Sequence, residues 1–197
     1  MLASITPLGE RSRGFSWRVT AAAFAVGSVG AGGFVGAAVG TLGSLLPGGL
    51  TWRGLGLAGV LAITVAFDAT PLRRRLPSSR RQVNEDWLAR YRGWVYGFGF
   101  GAQLGVGVAT IVTSAAVYAA AATALLCANP MIGALIGATF GALRALSLLP
   151  AGAVHDVGSL GLLHRRLGTA EADVRRAVSA LELALLMAVV VILVWRA

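Results

Sequence analysis

From Val19 to Leu46 the chain runs through 28 residues without one charged side chain. A helix crosses the hydrocarbon core of a bilayer with about 20 apolar residues, and the core of a cleaved signal peptide has roughly 7 to 15. The run therefore reads as a retained first span. Four more stretches are long and apolar enough to qualify, 54–70, 94–127, 131–149 and 177–195. Charged residues make up only 13% of the chain and apolar ones 56%, with a mean hydropathy of +0.75. An ordinary soluble domain carries about 25% charged residues, so half the usual solvating surface is missing. The fold class that follows is all-α, a polytopic transmembrane helix bundle of five spans.

The third stretch is too long for one straight crossing. Its 34 residues would reach about 51 Å as a helix, so it must tilt, break or extend beyond the membrane. Charge decides whether it holds one span or two. All seventeen basic residues are arginine, against eight acids, for a net charge of +9. Fourteen of them cluster between the apolar runs, at 11–18, 73–92 and 165–176. With five spans and a cytoplasmic N-terminus all three clusters fall inside, as topology rules ask; a sixth span within 94–127 would put the last cluster outside. A short re-entrant segment around 154–163 would complete a degenerate six. This pattern points to a bacterial inner membrane rather than to nucleic acid, for which no aromatic-basic groove motif is present.

The chain is then one integral membrane domain, 1–197. Within it, 1–70 holds the first-repeat spans and 71–93 an arginine-rich cytoplasmic loop with an interfacial helix. The long third span and the fourth occupy 94–149, a cytoplasmic connection 150–176, and the last span 177–197. In the interfacial helix Ser79 and Gln82 form a capping box, and Val83, Trp87, Leu88 and Tyr91 an apolar stripe. Trp87, Tyr91, Trp94 and Tyr96 are expected at headgroup depth.

Two segments match at an offset of 101: GGFVGAAVG at Gly32–Gly40 and GALIGATFG at Gly133–Gly141. Gly32, Gly36 and Gly40 align with Gly133, Gly137 and Gly141, and each run leaves through a Leu-Leu-Pro-x-Gly exit. Glycines four apart let helices pack closely, and such patterns recur in any tight membrane bundle. The sharper reading is internal duplication. The topology sends the first copy outward and the second inward, the inverted-repeat arrangement of many secondary transporters.

RYRGWVYGFGFGAQLG, Arg90–Gly105, is glycine-rich but lacks the spacing of a dinucleotide fingerprint. Gly97, Gly101 and Gly105 instead mark another close-packing face. Gln103, Thr110 and Ser114 lie along one helical side and either line a transport path or bond locally. Asp68, Arg144 and Glu182 fall within about two turns of the cytoplasmic edge on three spans; they form a structural Arg144–Glu182 or Arg144–Asp68 pair, or a gate or anion site. Thr169 is the expected cap of the last helix, with Glu171 and Asp173 in its first turn and Glu171 four residues from Arg175. His155, Asp156 and His164 are too sparse for a metal site, and the single cysteine, Cys127, excludes an intrachain disulfide. No catalytic residue and no cofactor is expected, so the chain reads as a non-enzyme.

Cys127-Ala128-Asn129-Pro130, entering a glycine-rich span that repeats an earlier one in the opposite sense, resembles the DsbD/CcdA-type membrane electron conduits of the LysE-like superfamily. The resemblance implies an inverted-repeat bundle in which paired intramembrane cysteines beside prolines pass reducing equivalents. Here Val26 and Val29 stand where the first repeat would carry its cysteine and proline. Electron transfer would therefore need a thiol from a second protein.

The leading expectation is a small-solute transporter or permease-like module with Gln103, Thr110 and Ser114 along its path and Asp68, Arg144 and Glu182 as its charge site. The competing one is a non-catalytic scaffold or subunit of a larger membrane complex. A thiol-redox factor of cytochrome c biogenesis type, working through Cys127, comes third. Expected partners are the lipid bilayer and a homo-oligomer or larger membrane complex, with no nucleic acid.

Overall fold

The structure, a computed structural model, describes residues 5–70, 86–107 and 114–195. Among these, Ser79, Gln82, Val83 and Thr110 are not included. The described residues are helical, with no strand: α1 (Pro7–Ser12), α2 (Trp17–Leu45), α3 (Leu50–Ala69), α4 (Asp86–Arg90), α5 (Gly93–Gly105), α6 (Ala116–Cys127), α7 (Pro130–Leu146) and α8 (Val157–Trp195). A short 3-10 turn, Leu149–Ala153, joins the last two.

Four helices are long and apolar enough to cross a membrane: α2, α3, α7 with its extension to Ala153, and the part of α8 from Ala172 to Trp195. The fifth expected span, 94–127, is instead two short helices, α5 and α6. The sequence signal for the break is Gly105-Val106-Gly107. Gly107 stands at φ +82°, a conformation that ends helices and that side chains other than glycine resist.

The last helix also differs from its expected limits. It starts at Val157, so the segment near 154–163 forms its first turns rather than a re-entrant loop. Its cap is Asp156, whose carboxylate accepts the Ser159 amide at 2.7 Å while the Ser159 hydroxyl accepts the Asp156 amide at 3.2 Å. Thr169 lies inside the helix and donates to the Arg166 carbonyl at 2.9 Å. Arg176 pairs with Asp173 at 2.9 Å, both largely exposed, and the Glu171 side chain is not among those described.

The bonds from Ser159 hold the exposed Asp156 carboxyl below the usual carboxylate range. A depressed folded-state value means its contribution is complete above the ordinary aspartate value of 3.8 and lost as pH falls through the lower folded one. Amide exchange in the first turn of α8 is therefore expected to accelerate only below about pH 4, and Asp156→Asn to remove that pH dependence. Exchange that is pH-independent apart from intrinsic chemistry in the unsubstituted chain would count against the cap.

Helix α2 is the central post, packed on α5, α6 and α7. Facing residues give the directions. Gly97, Gly101 and Gly105 meet the carbonyls of Thr20, Phe24 and Ser28, so α5 runs parallel to α2. Gly133, Gly137 and Gly141 meet the carbonyls of Gly36, Gly32 and Ser28, so α7 runs antiparallel. Gly54 lies on Leu193 while Thr64 and Asp68 neighbour Glu182, so α3 and α8 run antiparallel beside this core. At each of the nine glycines Gly32, Gly36, Gly40, Gly97, Gly101, Gly105, Gly133, Gly137 and Gly141, an added Cβ would overlap a facing carbonyl oxygen. Backbones this close exchange Cα–H···O contacts worth roughly 0.5–1 kcal/mol each.

One end of the bundle is closed by the N-terminal segment. Thr6 caps α1 through the Gly9 amide at 3.1 Å, and the Leu8 amide donates to the Val154 carbonyl at 3.3 Å. Trp87 of α4 stacks on Phe100, with ring centres 6.2 Å apart. Tyr91 and Trp94 are about half exposed, but Tyr96, expected in the same aromatic belt, is fully buried. Its hydroxyl has found a carboxylate to bond, which allows a tyrosine to leave the interface.

Candidate functional site

The break between α5 and α6 lies beside the middle of α2: Gly105 touches the Ser28 carbonyl on one side of it, and Leu125 faces Gly43 on the other. A helix broken inside a bundle exposes backbone carbonyls at one inner end and amides at the other. Side chains from other helices meet both. Arg144 of α7 donates to the carbonyls of Leu104 at 3.1 Å and Gly107 at 3.4 Å, at the C-terminal end of α5. Its guanidinium also lies 5.2 Å from the centre of the Phe140 ring. Asp68 of α3 accepts the Ala115 amide at 2.8 Å and the Ser114 hydroxyl at 2.5 Å, at the N-terminal end of α6. Cation at a C-terminus and anion at an N-terminus is the arrangement that the helix dipole favours.

Asp68, Arg144 and Glu182 therefore do not form the ion pair expected of them. Among the described residues the salt bridges are Arg13–Glu10 and Arg176–Asp173. The backbone ends of the broken helix compete for Asp68 and Arg144, and both charges are spent there. Glu182 of α8 is instead 4% exposed and near enough to Asp68 to feel its charge, with no hydrogen-bond partner for either carboxylate oxygen among the described residues. Thr64 adjoins it, but donates its hydroxyl to the Leu61 carbonyl at 3.0 Å.

The polar stripe is split by the same break. Gln103 is half-buried on α5 and its side chain makes no hydrogen bond among the described residues. Thr110 lies outside those residues, and Ser114 belongs to the α6 cap rather than to a continuous α5 face. An apolar void of about 60 Å³, lined by Gly32, Gly105, Gly107, Val117 and Phe140, adjoins the break.

Cys127 is exposed at the far end of α6. Ala128 takes a left-handed conformation, φ 49°, and Asn129 accepts the amides of Met131 and Ile132 at 2.9 and 3.1 Å, with Pro130 opening α7. The four residues Cys127–Pro130 thus make a tight corner between helices. Cys127 edges an open, largely apolar groove of about 450 Å³ that Arg53, Leu57 and Leu193 also line.

One buried constellation escaped the sequence reading. Glu10 of α1 is fully buried and accepts from the Tyr96 hydroxyl at 2.5 and 2.6 Å, the Thr20 hydroxyl at 2.7 Å and Arg13 at 2.6 Å. Among neighbouring arginines it reads as one more solvated charge; Thr6-Pro7, a cap followed by proline at the first helical position, is the signal that could have placed it on a helix. Among the described residues no group of three or more His, Cys, Asp or Glu could hold a metal ion. The chain matches no known family model, no curated protein and no solved structure.

Proposed function

We propose that this chain is a small-solute transporter or permease-like module of the inner membrane, in which α5 and α6 together make a discontinuous fifth crossing. The observation that carries the reading is the helix break beside the middle of α2, with Arg144 on one inner end and Asp68 on the other. Irregular backbone at membrane depth is tolerated where protein buries it or where it lines a cavity, and transporters bind solutes and ions at such discontinuities.

The glycine seam between α2 and α7 supports an inverted repeat. Its four contacts pair residue 28 with 141, 32 with 137, 36 with 133 and 40 with 129. Under the offset of 101 that aligns the two glycine runs, the 32–137 contact maps onto 133–36, and 28–141 onto 129–40. The seam is self-complementary, as a contact across a two-fold axis must be. Arg11, Arg13, Arg18, Arg90 and Arg92 lie at the end of the bundle closed by α1 and α4, which the positive-inside rule assigns to the cytoplasm.

The test is uptake into proteoliposomes from a panel of labelled amino acids, polyols and inorganic ions, against protein-free vesicles. Flux of at least one class is expected, reduced at least about tenfold in Asp68→Asn and in Gln103→Leu while both variants remain inserted. No flux from any class, together with a stable partner after mild detergent extraction, would favour the scaffold reading. Full flux in Cys127→Ala would remove the redox one.

A further inference from the structure

We propose that Glu182 binds a proton at the α3–α8 contact and exchanges it during the working cycle. Glu182 is 4% exposed, and both of its carboxylate oxygens lack a hydrogen-bond donor among the described residues. The donors in this neighbourhood go elsewhere: the Ser114 hydroxyl and Ala115 amide to Asp68, and the Thr64 hydroxyl to Leu61. Helix α8 packs on α3 and on the 3-10 turn. The polar groups that face Glu182 from α3 are Asp68 and Thr64, with the N-terminus of α6 behind Asp68. Arg53, the other charged residue of α3, reaches the Leu46 carbonyl at the opposite end.

Two carboxylates that repel each other within an apolar bundle resist ionising together unless a cation compensates them. Asp68 holds two donors that stabilise an anion, whereas for Glu182 the described residues supply only the neighbouring Thr64 hydroxyl, which donates to Leu61. A proton needs one lone pair, while hard metal cations need about six or more oxygen ligands. No third acid joins this pair among the described residues, which favours the proton. In the exchange only the O–H bond of Glu182 breaks and re-forms: the proton passes to water or to Asp68, and the electron pair stays on the Glu182 oxygen.

The role in a cycle rests on the transport reading, but occupancy by a proton does not, and the two are measured separately. Infrared spectra of the protein in lipid bilayers at neutral pH are expected to show the carbonyl band of a protonated carboxylic acid. That band should shift in D2O and be lost in Glu182→Gln. Its absence from the wild type, its persistence in Glu182→Gln, or its erasure by sodium at constant pH would overturn the proposal. Glu182→Gln copies the neutral acid, so its melting temperature in detergent is expected to match the wild type, while Asp68→Asn, which weakens the α6 cap, melts lower. A fall for Glu182→Gln as large as that for Asp68→Asn would likewise count against a bound proton. A band present without solute flux in any assay would retain the proton site and reject transport.

Discussion

Gly36→Leu is expected to force α2 and α7 apart and to cost about 3 kcal/mol or more, at or above the upper end of the usual range for overpacking. A Cβ at position 36 would already overlap the Gly133 carbonyl, and leucine adds three further carbons in the same place. The opposing atoms belong to the backbone of a helix and cannot rotate aside, so the whole seam must open. Gly137→Leu meets the Gly32 carbonyl and should behave alike. Gly30, on the same helix, is exposed with nothing within 4 Å of an added Cβ, so Gly30→Leu is expected to be near neutral. Thermal melts in detergent and the monodisperse fraction on gel filtration distinguish the three. Equal behaviour of Gly36→Leu and Gly30→Leu would refute the seam.

Glu10→Ala is the second substitution with a large expected effect, about 3 kcal/mol, the low end of the range for breaking a buried charge pair because the Arg13 side chain is 26% exposed. It strips the acceptor from the Tyr96 and Thr20 hydroxyls and the carboxylate from Arg13 at once. The buried Tyr96 hydroxyl, left without this acceptor, adds to the loss, while Thr20 keeps the Ser16 carbonyl at 3.4 Å. Tyr96→Phe removes only one of the three partners and is expected to cost a fraction as much. The same melts read both, and a Glu10→Ala protein as stable as wild type would show that α1 is not fastened to the bundle through this residue.

Sequence and structure agree where a single periodicity controls the outcome. Glycines four apart and long apolar runs describe α2 and α7 because both the spacing and the apolar character act within one helix. The α5–α6 break was visible only as excess length, since the carbonyls and amides it frees are met by Arg144 and Asp68 from distant helices. Opposite charges near one membrane edge look like natural partners for each other, and the sequence contains no statement that backbone ends will claim them first. In sequence Gln103 and Ser114 share a helical face, but α5 ends at Gly105 and Gly107 turns away from it. Glu10 is the least legible, because its burial depends above all on Tyr96, which is 86 positions away in the chain.

The α2–α7 contact resembles a zipper whose teeth are all alike. Glycine recurs every four residues on both helices, so a slide of one repeat, about 6 Å, would set glycine on glycine again. Smooth teeth determine how closely the strips lie and leave their alignment to the stops at each end. Here one stop is the Ser28 hydroxyl, which reaches the Gly141 carbonyl at 2.8 Å, and the other is the Asn129 corner against Gly40. Fit and alignment are therefore held by different residues: Ser28→Ala should leave the two helices as close as before while loosening their hold on a single alignment.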